Sequence, residues 1–457
     1  MVPRGNTNLF IEPDCEHNAQ KNKGCASPKP GELTKGCAFQ GSRAALLPIS
    51  DAAHLVHGTP GCLENSRGML EAGALGVPLS RFGFSTGLTE EDIVLGGEKK
   101  LIQAIDYIAE SYNPPCLFVY ATCITMLTMD NLDAICAEAE QKWNKPVIPV
   151  HHSGFFGSKN MGYRQAGEAL FEKVIGTSEL NEENKGLFNI NLIGEYHFSG
   201  EGKEIEALLS RLGIRVVSRI AGQCSFQDLR CAHSAKVNML VCSRSMITLA
   251  RKMRESFGIP YFEGSFYGTR EIRFSLQQLS FHFQDAQFDK RVQRYIRREE
   301  ERVRKDIYLH YKSLQGKKVV LYTDGIESWA FISPLLELGI KIVGIGTNKN
   351  ALEDLSRIME RTEQDTILVK ESDENRILQL YREHKADLMI VSGRNAYVPL
   401  KEKLPFLDID QERHGAYSGY MGLRRMAQDL VDVMEQPVWE MARRRSPWEG
   451  EPDEHHI

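Results

Sequence analysis

GEKKLIQAIDYIAESYNPPCLFVYATC, residues 97–123, joins two patterns across a pair of prolines. Leu101, Ile102, Ile105, Ile108 and Ala109 recur at three- and four-residue intervals, the stripe of an amphipathic helix. Pro114 and Pro115 end that helix, and Cys116–Cys123 follows as a short apolar run, the signature of a strand buried on both faces. The pair then repeats. NLDAICAEAEQKW (131–143) is helical and PVIPVHH (146–152) strand-like. FNINLIGEY, a helix from Glu201 to Leu212, IRVVSRIAG and VNMLVCS form a second series. KKVVLYTDG, ISPLLELGIKIVGIGT, TILVK, ILQLYREHK and ADLMIVSG form a third. Strand–helix alternation implies parallel sheets covered by helices, with ligands gathered outside the carboxyl ends of the strands.

The expected organisation is therefore an irregular N-terminal arm over residues 1–39 and three Rossmann-like α/β domains over 40–184, 185–314 and 315–457. The arm is rich in Lys, Asn, Gly and Pro, and its opening MVPRG reads as a protease-site scar. The charged segment Asp289–Leu314 reads as an exposed helix between the second and third domains. At 457 residues the chain is too long for one core, and 42% apolar with 26% charged residues is a globular profile. A net charge of −5 gives no electrostatic footprint for nucleic acid or an anionic membrane. No apolar run approaches the roughly 20 residues of a membrane span, and no signal-peptide pattern opens the chain, so a cytoplasmic location is expected. There is no Walker-type glycine loop, so nucleotide chemistry is not intrinsic.

Ten cysteines, at 15, 25, 37, 62, 116, 123, 136, 224, 231 and 242, need an explanation compatible with a reducing compartment: ligation, catalysis or burial. Cys116 and Cys136 lie inside apolar strand and helix patterns and read as space-filling. Cys37 and Cys62 sit in glycine-flanked turns and read as ligands. Cys123 and Cys242 end predicted strands, where a thiol faces the ligand cleft, and spacing alone leaves them open between ligation and packing. Thiolates at such places suit an iron–sulfur cluster, but three widely spaced cysteines leave a four-iron cluster one ligand short. Cys224 and Cys231 flank a loop, CSFQDLRC, that reads as packing.

Several motifs in order, GCAFQG (36–41), HLVHGTPGC (54–62), LFVYATC (117–123), VNMLVCSRS (237–245) and GIPYFEGSFYG (258–268), resemble the nitrogenase molybdenum–iron component superfamily. The resemblance runs from about Cys15 to Trp439. CEHN (15–18), PVIPVHHSGFFGSKNMG (146–162), LYTDGIESW (321–329) and PFLDIDQER (405–413) are text similar to its cofactor-assembly branch, in the α-like subunit. The resemblance implies a nitrogenase α-subunit-like fold and an α2β2 heterotetramer with a NifN-like β subunit. It implies that Cys37, Cys62 and Cys123 ligate a 4Fe–4S cluster shared with that partner. It also implies that Cys242 holds an iron–sulfur precursor of the iron–molybdenum cofactor, with molybdenum and homocitrate as further components. The implied partners are a NifB-like precursor donor, the nitrogenase Fe protein and the nitrogenase apo-protein as recipient.

Within that resemblance the residues around the cofactor separate a scaffold from a catalyst. A catalytic α subunit has a His-His pair where this chain has Tyr163 and Arg164, and a basic turn where this chain has GIESW (325–329). It has a histidine ligand where this chain places Asp410 or a neighbour, a position at which the scaffold branch has Asn. A cluster held by one thiolate with fewer cations around it is easier to surrender, so a cofactor-assembly scaffold is expected rather than a stand-alone catalyst. The alternatives are a catalytic α subunit, the scaffold of an alternative-metal system and, more remotely, a subunit of dark-operative protochlorophyllide reductase. Arg394 and, less so, Lys401 are candidates for an organic acid near the cofactor. His17 and Cys25, beside Cys15 in the arm, are candidates for receiving incoming metal–sulfur material. His54 and His57 read as orienting the turn that carries Cys62.

Overall fold

The computed structural model describes residues 37–65, 83–151, 153, 154, 157, 159–182, 186, 188–194, 201–241, 243–323, 326–347, 358, 361, 362, 366–370, 374–409 and 417–444. Among the described residues three sheets carry the fold, and every strand pairing within them is parallel. The first, in the order β2-β1-β3-β4, is built from β1 (Ala53–His57), β2 (Gly83–Ser85), β3 (Leu117–Ala121) and β4 (Val147–Val150). The second, β6-β5-β7-β8, uses β5 (Asn189–Ile193), β6 (Arg215–Ile220), β7 (Val237–Leu240) and β8 (Tyr261–Glu263). The third, β11-β10-β9-β12-β13, uses β9 (Lys318–Thr323), β10 (Lys341–Thr347), β11 (Ile367–Lys370), β12 (Leu388–Val391) and β13 (Phe406–Asp408). By contact the chain forms two compact units. One, mainly residues 1–266 and 271–296, contains the first two sheets; the other, mainly 297–410 and 417–457, contains the third.

Local sequence accounts for the elements. The helix Glu98–Tyr112 buries Leu101, Ile105 and Ile108, the stripe read from the sequence, and ends at Asn113 in the left-handed region. β3 is buried at all five positions, as a central parallel strand requires. The expected exposed helix after Asp289 differs in one respect. It is two helices, Ala286–Asp306 and Tyr308–Leu314, and the first buries Phe288, Val292, Ile296 and Val303 along one stripe. Charge dominates its composition, but its three- and four-residue apolar spacing still seats it on a core.

In the first unit three helices pack in succession, and they set the position of Cys37. The helix Lys159–Lys173 lies against Ala38–Leu46 on one side and against Ser243–Phe257 on another. The crossing with Ala38–Leu46 is glycine on both sides. A Cβ on Gly41 would stand 1.9 Å from the Lys159 carbonyl oxygen, and one on Gly162 would stand 1.9 Å from the Ala38 carbonyl oxygen. The Ser42 hydroxyl donates to the Gly162 carbonyl oxygen at 3.0 Å across the same crossing. On its other side, the Lys159–Lys173 helix brings Gly167 against Met246 and Leu249.

His54 is a core histidine. Its ring is buried, stacks on Phe118 with centroids 5.5 Å apart, and pairs through Nδ1 with the Tyr120 hydroxyl at 2.8 Å. Burial pushes its pKa down from 6.5 to about 3, with a hydrogen bond from Nε2 to the Ile49 carbonyl opposing this and Arg43 adding to it. The folded value lies below the unfolded one, so this contribution to stability is complete above pH 6.5 and lost as the pH falls toward 3. Below pH 6.5 unfolding free energy should fall by roughly 1.4 kcal/mol per pH unit from this residue. Urea titrations of the wild type and His54→Phe between pH 7 and 4 check this: the variant's slope should be flatter, and equal slopes would contradict it.

Candidate metal centre

The parallel sheet delivers two of the candidate thiols from neighbouring strands. β1 and β3 pair in register, His57 opposite Ala121, so the segments leaving their carboxyl ends emerge side by side. From β1 the chain turns through HGTPG into the short helix Pro60–Asn65, which carries Cys62. From β3 it reaches Cys123 after one residue. Cys123 is not the strand's last residue, as the sequence suggested, but the first of the helix Cys123–Thr128. Thr122 explains the change: its backbone N–H donates to the Thr125 hydroxyl at 2.9 Å, capping a helix in place of one more ladder bond. The third thiol, Cys37, sits at the N-cap of Ala38–Leu46, its N–H donating to Gln40 Oε1 at 3.2 Å, and the Ala38 N–H donates to the Gly157 carbonyl at 2.9 Å.

Cys37 and Cys123 meet beside Gly154, which follows the next strand, β4. A Cβ built on Gly154 would lie 3.0 Å from Cys123 Sγ, 3.4 Å from Cys37 Cβ and 3.7 Å from Cys37 Sγ. Glycine thus leaves open the space against which two of the sulfurs stand. Cys62 belongs to the same group electrostatically: burial raises its thiol pKa first, and the neighbouring Cys123 and Cys37 raise it further, against a hydrogen bond from Thr59. All three thiols are free and half-buried. A thiol whose ionisation its surroundings oppose, as at Cys62, becomes a stable thiolate when a cationic centre lies beside it. Among the described residues no three His, Cys, Asp or Glu side chains form a group that could hold a single metal ion. The donor set, all sulfur and partly open, fits a polynuclear iron–sulfur group rather than a lone ion.

The turn behind these cysteines is fixed by a buried pair that the sequence did not reveal. His57 Nε2 lies 2.9 Å from Asp130 Oδ2 and Nδ1 lies 3.1 Å from the Thr86 hydroxyl, with His57 fully enclosed. Asp130 also accepts from the Gly97 N–H and the Thr128 hydroxyl, and the Thr122 hydroxyl donates to the His57 carbonyl at 3.0 Å. Burial lowers the His57 pKa, opposed by Asp130. The ring is therefore neutral, with Nε2–H donating to the carboxylate and Nδ1 accepting from Thr86. This ties the exit of β1, ahead of Cys62, to both ends of the Cys123 helix. His57 and Asp130 are 73 residues apart, and no sequence pattern pairs them.

Other candidates fall elsewhere. Cys116 and Cys136 are core residues, with burial pushing Cys136 up to about 12. Cys224 and Cys231 are buried packing residues: the Cys224 segment bridges Ile49, and Cys231 Sγ accepts from Gln227 at 3.4 Å. Tyr163 is buried in the core formed around the Lys159–Lys173 helix, with Lys159 Nζ 5.7 Å from its ring centroid. Arg394 belongs to the one-turn helix Gly393–Ala396 that follows β12, and Lys401 ends the helix Tyr397–Lys401, exposed. Cys242, Asp410, His17, Cys15 and Cys25 lie outside the described residues, as does Gly325 of the GIESW turn. No helix among the described residues is long and apolar enough to cross a membrane.

By class this is a parallel α/β protein whose first sheet presents cysteines beyond the carboxyl ends of two neighbouring strands, where such folds collect ligand groups. Its backbone overlays two solved structures, both titled Nitrogenase Cp1, at pH 5 and pH 6.5. Each has a TM-score of 0.81 and 24% identity over 93% of this chain, covering 92% and 93% of the matched chains. The family model for nitrogenase component 1 type oxidoreductases matches residues 37–435, and this chain belongs to that family. Among curated relatives, the Rippkaea orientalis protein named nitrogenase iron-molybdenum cofactor biosynthesis protein NifE is 43% identical, over 98% of this chain and 96% of the relative. The Klebsiella pneumoniae protein of the same name is 40% identical, over 96% of this chain and 98% of the relative.

Proposed function

We propose that this chain is the α-like half of a scaffold on which the iron–molybdenum cofactor of nitrogenase is assembled and from which it is passed to the nitrogenase apo-protein. The meeting of Cys37 and Cys123 beside Gly154, with Cys62 close enough to feel both electrostatically, carries this reading. The names of relatives aligned over nearly the whole length support it. In this reading the three thiolates hold a 4Fe–4S cluster whose fourth ligand comes from a NifN-like β subunit in an α2β2 assembly. Such a cluster supplies one-electron chemistry, while Gly154 keeps its space clear and the His57–Asp130 pair holds the two ligand-bearing turns in register.

A seam beside the cluster is consistent with the surface. The helices Glu90–Leu95 and Cys123–Thr128 pack on each other and leave Val94, Leu95, Met126 and Leu127 exposed, with Met129 following, 85% exposed. Apolar groups gathered along the helix that begins at Cys123 suit coverage by another polypeptide. Cys242 would hold the iron–sulfur precursor received from a NifB-like donor. Asp410 and Arg394 would face that precursor and its organic acid, and His17 and Cys25 would receive incoming material. The nitrogenase Fe protein would dock on the assembled complex. Tyr163, enclosed in the core at a position where a catalytic subunit has a histidine, favours assembly over turnover.

The test is transfer against catalysis. The complex with its β-like partner, loaded with precursor and supplied with Fe protein, ATP, molybdate and homocitrate, should activate nitrogenase apo-protein while forming negligible ammonia itself. Efficient ammonia formation by the complex alone would restore the catalytic reading.

A further inference from the structure

Ser153 adjoins the glycine against which the sulfurs stand, and it is itself fully enclosed. Its backbone is held, the N–H donating to the His151 carbonyl at 3.2 Å. Its hydroxyl oxygen is buried and has no hydrogen-bond partner among the described residues. An orphaned buried hydroxyl costs about 1–3 kcal/mol, and native structures keep few of them. Neither Cys37 nor Cys123 accepts a bond from it, although a Cβ built on the adjoining Gly154 would lie 3.0 Å from Cys123 Sγ and 3.7 Å from Cys37 Sγ.

Resting on the cluster reading above, we infer that Ser153 is a positioning residue for the cluster: its hydroxyl donates to a sulfur of the bound group, and this bond sets the group's reduction potential. The protein folds with the donor already desolvated and unpaired, so the bond forms on loading and its full strength is available there. A donor aimed at sulfur favours the more negative, reduced state, and hydrogen bonding to the sulfurs is one of the factors that set the potentials of such clusters. It makes the centre easier to reduce and links the loop after β4, which contributes no thiol, to the two strands that do. Sequence spacing shows the serine but not its lack of a partner.

The complex with the β-like partner is reconstituted anaerobically with ferrous iron and sulfide and titrated with dithionite through mediators. At the wild-type midpoint, Ser153→Ala should lower the ratio of reduced to oxidised cluster about tenfold, the effect of one charge-assisted hydrogen bond. Ser153→Cys, a weak donor, should fall between the two. Melting of the iron-free Ser153→Ala chain should be unchanged or raised, because no native bond is lost. Loss of cluster from Ser153→Ala with unchanged iron-free melting would also support the contact. A full cluster with the wild-type ratio would overturn the inference and leave the cluster reading intact, the hydroxyl then serving a buried water. Destabilised iron-free Ser153→Ala would overturn it too, by revealing a structural partner. A wild-type complex that takes up no iron would bring down the cluster reading itself.

Discussion

Cys37→Ala, Cys62→Ala and Cys123→Ala should each cut cluster occupancy in the complex by more than tenfold. Loss of an outer hydrogen-bonding group around a metal site already weakens binding about 10–100-fold, and loss of a direct thiolate costs more. Each variant also removes one of the three thiols of the proposed cluster site, where Cys37 and Cys123 stand at Gly154 and Cys62 feels both electrostatically. Recovery of the heterotetramer should fall in parallel, because the cluster crosses the seam in the proposed assembly. Iron analysis with electron paramagnetic resonance, alongside size-exclusion chromatography, reads both effects. Cys136→Ala is the control: its thiol is buried within the first sheet's core and should leave iron content unchanged. Normal cluster content in all three ligand variants would refute the assignment.

Gly162→Ala should destabilise the fold by about 2 kcal/mol and empty the proposed metal centre, although it replaces a helical glycine with the best helix former. Propensity favours alanine by about 1 kcal/mol. Against this, the new methyl would stand 1.9 Å from the Ala38 carbonyl oxygen, so the two helices must separate. Overpacking of this kind costs typically 1–3 kcal/mol and sometimes more, and here the atom met is backbone rather than a flexible side-chain end. The displaced helix carries Cys37 at its N-cap, so iron uptake should fall with stability. Gly61→Ala is the matched control: it adjoins Cys62, but its added methyl meets nothing within 4 Å. Denaturant titrations of the two variants and the wild type decide the matter, and a neutral Gly162→Ala would contradict the crossing described.

Much of this architecture is legible in the amino-acid sequence because parallel α/β folds announce themselves by alternation. The stripe Leu101, Ile105, Ile108 and the run through Val119 become the expected helix and the expected central strand. Glycine-flanked turns single out Cys37 and Cys62 as candidate ligands, and the family motifs add Cys123 as a third candidate. What escapes the sequence is long-range. The exit of β3 turns into a helix because Thr122 finds a cap in Thr125, a choice too local for periodicity to resolve. The His57–Asp130 pair and the Gly41–Gly162 crossing join residues 73 and 121 positions apart, and only the folded chain shows what each approaches. Gly154 was visible as one glycine in a glycine-rich stretch, with nothing to say that two sulfurs would stand against it. The charged stretch after Asp289 misled in the opposite sense, its abundant Arg and Glu hiding the apolar spacing that seats it.

Mössbauer spectroscopy of the wild-type chain, co-expressed in iron-57 medium with its β-like partner and purified without oxygen, is the most direct measurement. The account predicts a thiolate-ligated four-iron signal that disappears when Cys37, Cys62 and Cys123 are replaced together. An iron-free wild-type complex, or the same four-iron signal in the triple variant, would contradict it.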